Sequence, residues 1–297
     1  MSVAILFNPM SGRGRALKHA QRMKSGLQLD GVKAHLIATQ SRDAKHWLDE
    51  ELRGRRRSIS VIAVCGGDGT VRLAAPSAAR AGLPIWHVPC GTENLFARSF
   101  GMTRSESQFR RALHAMRIQR IDLANANHEP FVLMGSLGLD ARIVHALAST
   151  RKGPISHFSY FRPALECVRT WKAPRLAWEF DGEREELGVG MVVVANGREY
   201  GARLNPSADA LPHDGLLDAI FIPLRHGFDV IPWIPRLRWG LQKYSSVVRE
   251  RRARAFRIWT SSPEVLQLDG EKAGMPEGQL VVDFGLARHA LAVLLPA

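Results

Sequence analysis

An α/β domain followed by a mostly β domain is the fold class that this 297-residue sequence predicts. Three observations predict it. Short apolar runs alternate with helical patterns over the first third. Small, glycine-rich loops follow three of those runs. The remainder reads as a succession of strands separated by glycine-rich turns.

Taken in order, Val3–Phe7 is a buried-strand candidate, followed by a glycine-rich turn and a helix from Arg15 to Gly26. Val32–Ala38 is the next strand and Asp43–Leu52 the next helix. Ile59–Val64 runs into Gly66-Gly67-Asp68-Gly69-Thr70 and a further helix. Pro84–Val88 precedes Pro89-Cys90-Gly91-Thr92, with helices from Glu93 to Met116. Strands separated by helices of this length imply a parallel sheet with crossover helices. Beyond it, Phe131–Leu137, Leu176–Phe180, Gly190–Ala195, Ala219–Ile222, Ala255–Thr260, Val265–Leu268 and Leu280–Phe284 read as strands. Two helical patterns interrupt them. One surrounds Tyr160–Thr170; the other places Val230, Ile234, Leu237, Leu241, Tyr244 and Val248 on one face, with Pro232 and Pro235 confining or kinking its start. The expected domains are 1–118, with 286–297 packing back on it, and 119–285.

Composition fits a folded protein with a substantial core: 45% hydrophobic and 23% charged residues. The net charge of +13 is mostly arginine, with runs at Arg53, Arg55, Arg56 and Arg57 and at Arg249, Arg251, Arg252, Arg254 and Arg257. Such an excess attracts polyanions, whether nucleic acid, an anionic bilayer or a phosphorylated substrate; the plainer reading is a solvated face. Cys65, Cys90 and Cys167 have neither zinc spacing nor a disulfide framework, which fits a reducing compartment. The N-terminus lacks the features of a signal peptide. The longest apolar stretch, Ala219 to Leu241, is broken by Arg225, Asp229, Arg236, Arg238 and three prolines, so a soluble or peripheral protein is expected.

The strongest local signal is Cys65-Gly66-Gly67-Asp68-Gly69-Thr70 directly after a buried strand. Its glycines clear the turn of Cβ atoms and allow positive φ, so that backbone N–H groups and a helix N-terminus can face an anion. Thr70 is placed to cap that helix or to bond a phosphate. Asp68 requires an offsetting cation, a bridging magnesium or a neighbouring arginine. Pro89-Cys90-Gly91-Thr92-Glu93-Asn94 repeats the logic after the next strand, and Asn8, Ser11, Gly12, Arg13 and Gly14 follow the first. Loops at the carboxyl ends of parallel strands line one crevice, so the three together predict a nucleotide site. A plain glycine-rich β-to-α turn is the alternative.

Asp-Gly-Glu occurs twice, at Asp181–Glu183 and Asp269–Glu271. Asp-Gly between strands is first a hairpin turn, and the charged neighbours of Asp181 favour that reading there. At Asp269 the pattern leaves open both a turn and a carboxylate pair able to activate an alcohol. Asp214–Asp218 reads as a turn or an oxygen-rich cation site, spacing leaning to the turn. Asp283-Phe284-Gly285 spells the magnesium signature of protein kinases, but the catalytic loop and activation segment that must flank it are absent. No Walker lysine motif occurs.

These motifs, in order, resemble the diacylglycerol kinase catalytic-domain family, which includes bacterial lipid kinases and sphingosine kinases. The resemblance rests on Phe7-Asn8-Pro9 with Ser11-Gly12, on Gly66–Thr70, and on Pro89–Arg98. It continues through Gly135–Ala141, Ala195-Asn196-Gly197 with Tyr200-Gly201, Asp214–Asp218 and Asp269–Glu271. It implies a two-domain fold, an α/β domain and a β-sandwich with ATP in the cleft between them. By the same resemblance Gly66, Gly67, Asp68, Gly69 and Thr70 hold phosphates, with Asn8, Ser11, Gly12, Thr39 and Thr92 lining the nucleotide pocket. Glu271 is the general base, assisted by Asp269. Asp214, with the carbonyls of Leu211 and Leu216, resembles a structural magnesium site.

Two departures bear on substrate identity. Glu93-Asn94-Leu95 stands where the family carries Gly-Asn-Asp, and Ala202-Arg203-Leu204 replaces further glycines and a methionine. The activity implied is phosphoryl transfer from magnesium-bound ATP to a lipid alcohol, in the cytoplasm at the inner face of an anionic membrane, with a homodimer compatible. The rival readings are a kinase of a soluble hydroxyl, like the nicotinamide-dinucleotide kinases, and a non-catalytic nucleotide-binding membrane module. Aromatic residues are only 7% and no nucleic-acid-binding module is recognisable, so no specific nucleic-acid partner is expected.

Overall fold

The structure, a computed structural model, describes residues 1–39, 47–54, 58–149, 157–274 and 278–297. Arg55, Arg56 and Arg57, and the start of the helix expected from Asp43, lie outside the described residues. The chain forms two compact units, Met1–Leu123 with Arg288–Ala297, and Ala124–Ala287.

In the first unit, strand β1 (Ser2–Phe7) is followed by helix α1 (Arg15–Leu29), β2 (Lys33–Ala38), α2 (Trp47–Arg53), β3 (Ile59–Gly66), α3 (Asp68–Ala81) and β4 (Ile85–Pro89). Two further helices, α4 (Leu95–Ser99) and α5 (Glu106–Ala115), precede β5 (Ile118–Ala126). Strands β2, β1, β3 and β4 lie side by side and all parallel. Nearly every residue of β1 and β3 is buried, which is why they read as unbroken apolar runs rather than alternating ones. Helix α1 buries Ala16, Ala20, Met23 and Leu27 along one stripe. Helix α3 ends on Gly82 in the left-handed conformation (φ 67), a common helix stop. The helices expected between Glu93 and Met116 are α4 and α5; α5 starts with Ser105 as cap, its Oγ accepting from the Gln108 N–H at 3.2 Å.

The second unit contains β6 (Glu129–Phe131), β7 (Met134–Leu137), α6 (Leu139–Ser149), α7 (His157–Thr170), β8 (Arg175–Phe180) and β9 (Glu183–Ala195). After these come β10 (Leu217–Pro223), α8 (Trp233–Arg238), β11 (Arg249–Ala253), β12 (Phe256–Thr260), β13 (Leu266–Leu268), β14 (Glu271–Ala273) and β15 (Val281–Leu294). Strands β14, β13, β7, β9, β10 and β11 form one antiparallel sheet. Strands β9, β8, β12 and β15 form a second, β9 contributing its first half. Both sheets bury side chains in one core that includes Phe131, Trp178, Val194, Phe221, Phe256, Leu268 and Phe284. This is a β-sandwich-like arrangement. The end of β15 lies parallel to β4, Val293 opposite Ile85, in the first unit.

Two expectations fail here. The strand expected over Phe131–Leu137 is two strands, because Val132, Leu133 and Met134 turn their N–H groups to the Asp269 carboxylate. The single helical face expected from Val230 to Val248 does not form. The segment divides into a 3₁₀ turn at Gly227–Val230, helix α8 and a 3₁₀ turn at Gln242–Tyr244. Of that face, Leu237 and Val248 are buried, while Ile234, Leu241 and Tyr244 are exposed.

Candidate functional site

In the first unit, the loops after β1, β3 and β4 meet at the carboxyl ends of their strands. Gly12 has φ 61, and a Cβ there would stand 2.7 Å from the Cys90 carbonyl oxygen. Gly67 and Gly91 approach backbone to backbone, a Cβ on Gly91 falling 2.7 Å from the Gly67 Cα. The Asn8 N–H donates to the Cys65 carbonyl at 3.1 Å, and the Cys90 N–H to that of Gly66 at 2.7 Å. Asn8 also accepts, through Oδ1, from the Met10 N–H at 3.0 Å; its carbonyl accepts from Ser11 at 3.0 Å. Thr39, at the end of β2, donates its N–H to the Phe7 carbonyl at 2.9 Å. Thr92 is exposed on its loop.

The glycine-rich turn works differently from expectation. Gly66, Gly67 and Gly69 are not left-handed, and Gly67 is extended (φ −100, ψ −174). Glycine is required at 66 by close approach, since a Cβ there would lie 2.3 Å from Thr70 Oγ1. Thr70 is buried in the first turn of α3 and is not its cap; that position belongs to Gly67. Asp68 is met by a backbone amide: its Oδ1 accepts from the Phe96 N–H at 2.9 Å. Burial pushes the Asp68 carboxyl up, opposed by the N–H groups of Phe96 and Leu95, with Glu93 adding to the rise.

Several supporting residues were not singled out from sequence. His87 is fully buried and its Nε2 donates to the Gly66 carbonyl at 3.0 Å. Burial lowers its pKa to about 4, so the ring is neutral. Asn94 closes the β4 loop by accepting from the Gly91 N–H at 2.7 Å and donating to its carbonyl at 2.9 Å. Arg15 bonds the Gly12 carbonyl at 2.8 Å. Burial raises the Cys90 thiol, while Arg104 and Arg15 pull it down, which puts two cations beside the loops. An arginine directly after Gly12-Arg13-Gly14 was the only sequence signal for this.

In the second unit, Leu268-Asp269-Gly270-Glu271 is a two-residue hairpin between β13 and β14, with Asp269 (φ 51) and Gly270 (φ 76) both left-handed, as Asp-Gly hairpins favour. Asp269 is only 6% exposed. Its carboxylate accepts from the N–H groups of Val132, Leu133 and Met134 at 2.7, 2.8 and 3.0 Å. Gln267 holds the other side, accepting from the Gly270 N–H at 2.8 Å and donating to Ser136 and Asp140 at 3.0 and 3.1 Å. Tyr200, buried against Asp140 and Ser136, has its pKa raised by that burial and by the Asp140 charge. Glu271 is half-buried at the hairpin's outgoing end. The first Asp-Gly-Glu has the same left-handed pair, Asp181 (φ 50) and Gly182 (φ 81), but all three of its residues are exposed.

Asp214 forms the expected turn, Oδ1 accepting from the Leu216 N–H at 3.0 Å. Its Oδ2 is engaged by Arg252, which also reaches Asp218 at 3.1 Å. Burial raises Asp218 to about 6, with Asp214 and Asp209 adding and Arg252 and Ser207 opposing. Asp214 with Leu211 and Leu216 therefore does not fit a magnesium ion as arranged, because a guanidinium already supplies the positive charge. Among the described residues no group of three or more His, Cys, Asp or Glu could hold a metal. The Asp283-Phe284-Gly285 triplet lies within β15, with Asp283 paired to Arg257 at 2.6 Å.

Comparison with known proteins agrees with this geometry. Residues 2–126 match the diacylglycerol kinase catalytic domain, and residues 134–294 match the YegS C-terminal NAD kinase beta sandwich-like domain. A diacylglycerol kinase from Bacillus subtilis is 24% identical over 98% of this chain and 95% of its own. One from Mycobacterium tuberculosis is 26% identical over 73% of this chain and 71% of its own. A crystal structure of a diacylglycerol kinase from Bacillus anthracis covers 99% of this chain and 96% of its own, with 16% identity and a TM-score of 0.67, a likeness of fold. Two family models matched in succession along nearly the whole chain leave one conclusion: it belongs to the diacylglycerol and lipid kinase family.

Proposed function

We propose that the chain is an ATP- and magnesium-dependent kinase that phosphorylates a hydroxyl of a diacylglycerol-like lipid. The observation that carries this is the convergence of three small loops at the ends of parallel strands, Gly12 on Cys90 and Gly67 on Gly91, within a chain of this family. Backbone brought so close, with Arg15 and Arg104 beside it, suits a polyphosphate. Magnesium arrives with the nucleotide as part of the substrate.

In this reading the lipid hydroxyl oxygen attacks the γ-phosphorus, its proton passes to Glu271, and the bond to the bridging oxygen breaks to release ADP. Phosphoryl transfer has a loose transition state, so placement and charge neutralisation contribute most and the proton moves late. Asp269 holds the hairpin that presents Glu271. The enzyme acts as a peripheral protein on the cytoplasmic face of an anionic membrane. Three free cysteines, a net charge of +13 and the lack of a membrane-crossing helix among the described residues support that placement.

The test is radiolabelled ATP with magnesium and a native lipid extract. A labelled lipid, identified by mass, is expected. An unlabelled extract sinks the reading, and labelling of NAD without lipid reassigns the substrate to a soluble hydroxyl.

A further inference from the structure

The arginine run from Arg249 to Arg257, the obvious membrane contact by charge, is largely paired within the fold. Arg251 meets Glu185 at 3.1 Å, Arg252 meets Asp214 and Asp218, and Arg257 meets Asp283. Unpacked apolar surface is concentrated elsewhere. Within 228–247, Phe228, Ile231, Ile234, Trp239, Leu241 and Tyr244 are all exposed, Trp239 by 70% and Tyr244 by 77%. No other stretch of similar length among the described residues exposes so many.

This segment is held firmly from its inner side. Trp233 and Leu237 are buried, and the Leu237 carbonyl accepts from the Asn205 N–H at 2.8 Å. Buried Gln242 donates to the carbonyls of Asn205 and Pro206 at 2.9 and 2.6 Å. The outward side chains therefore contribute little to the fold, and their exposure costs solubility. Cations are interleaved with them: Arg225, Arg236, Arg238 and Lys243, the last meeting Asp209 at 3.3 Å, against Asp229, whose carboxylate is taken by the N–H groups of Arg225 and His226. Exposed Trp and Tyr among aliphatic and basic side chains match the chemistry of a bilayer interface. A symmetric contact with a second copy would set the same cations against each other, whereas anionic headgroups attract them.

We propose that residues 226–248 are an interfacial docking element that seats these apolar side chains among the headgroups of an anionic bilayer, with Arg236 and Arg238 on the phosphates. The proposal deepens the lipid-kinase reading and rests on it for its purpose.

The test is sedimentation of the full chain, without nucleotide, with vesicles of phosphatidylglycerol and phosphatidylcholine. Wild type is expected to bind, more weakly as salt rises, and less to pure phosphatidylcholine. Ile234→Ser, Trp239→Ser and Tyr244→Ser together are expected to lower partitioning by at least about tenfold with the melting temperature unchanged. Should the triple variant melt lower, Trp239→Phe gives a second readout: the vesicle-induced blue shift of emission should shrink. Equal binding by wild type and triple variant, or no binding by wild type, overturns the proposal. So does a concentration-dependent dimer that the triple variant abolishes, since a second copy would then cover the patch. A chain that binds vesicles through this segment yet labels no lipid refutes the kinase reading and leaves the docking element standing.

Discussion

Gly67 and Gly91 lie back to back, so that a Cβ on Gly91 would stand 2.7 Å from the Gly67 Cα and one on Gly67 would stand 3.3 Å from the Gly91 Cα. The contact is backbone against backbone, with no flexible side chain to yield. Gly91→Ala must therefore shift one loop against the other. We expect a stability loss of about 1–3 kcal/mol and a fall in turnover on the order of a hundredfold. Gly54, which has open space around it, serves as control: Gly54→Ala should change stability by less than about 0.5 kcal/mol. Thermal melts and steady-state ATP consumption check both.

The two carboxylates of the second hairpin should separate by readout. Asp269→Ala leaves three buried N–H groups without their acceptor and should cost at least about 3 kcal/mol. Glu271→Gln should leave the denaturation midpoint nearly unchanged and abolish turnover while ATP still binds. Urea melts beside calorimetric ATP titration decide; a Glu271→Gln enzyme with wild-type turnover removes Glu271 from the chemistry.

His87 gives a pH dependence with a definite sign. Its folded pKa of about 4 lies below the ordinary 6.5, so below pH 6.5 the unfolded chain takes up a proton that the native ring refuses. Stability is lost as pH falls from 6.5 towards 4, on the order of 3 kcal/mol. His87→Gln, which keeps a donor for the Gly66 carbonyl, should flatten unfolding free energy measured across that window.

Asp218 has the opposite slope. Its folded pKa of about 6 lies above the ordinary 3.8, so between those values the native state holds the extra proton and stability declines as pH rises. Arg252→Ala removes the opposing cation and should raise that pKa further, making the variant weakest at neutral pH and partly restored near pH 5. Without nucleotide, magnesium should leave the wild-type melt unchanged, since Arg252 occupies Asp214; a clear magnesium-induced rise would show that a cation displaces it.

Much of this was legible in sequence because it is local. The buried runs at Ser2–Phe7 and Ile59–Gly66, the glycine-rich loops after them and the Asp-Gly hairpins are patterns a few residues long. Burial on both faces writes itself into a strand as continuous apolar sequence. Arg249–Ala253 was missed as a strand because its side chains are mostly exposed arginines, which carry no apolar alternation. The face expected over Val230–Val248 failed for the converse reason: its spacing was helical, but a new short helix begins at Pro232 and left-handed Gly240 follows its end.

The two Asp-Gly-Glu tripeptides mark where local reading ends. By itself the sequence favoured a hairpin turn at Asp181, since Asp-Gly tolerates the left-handed pair that such turns demand, and left Asp269 open between a turn and a carboxylate pair. Only the tertiary structure decided that Asp181 stays in water while Asp269 is buried on the N–H groups of residues 132–134. Those donors lie some 135 positions away in the chain. Backbone conformation is set by neighbours in sequence, whereas burial and hydrogen-bond partners are set by neighbours in space.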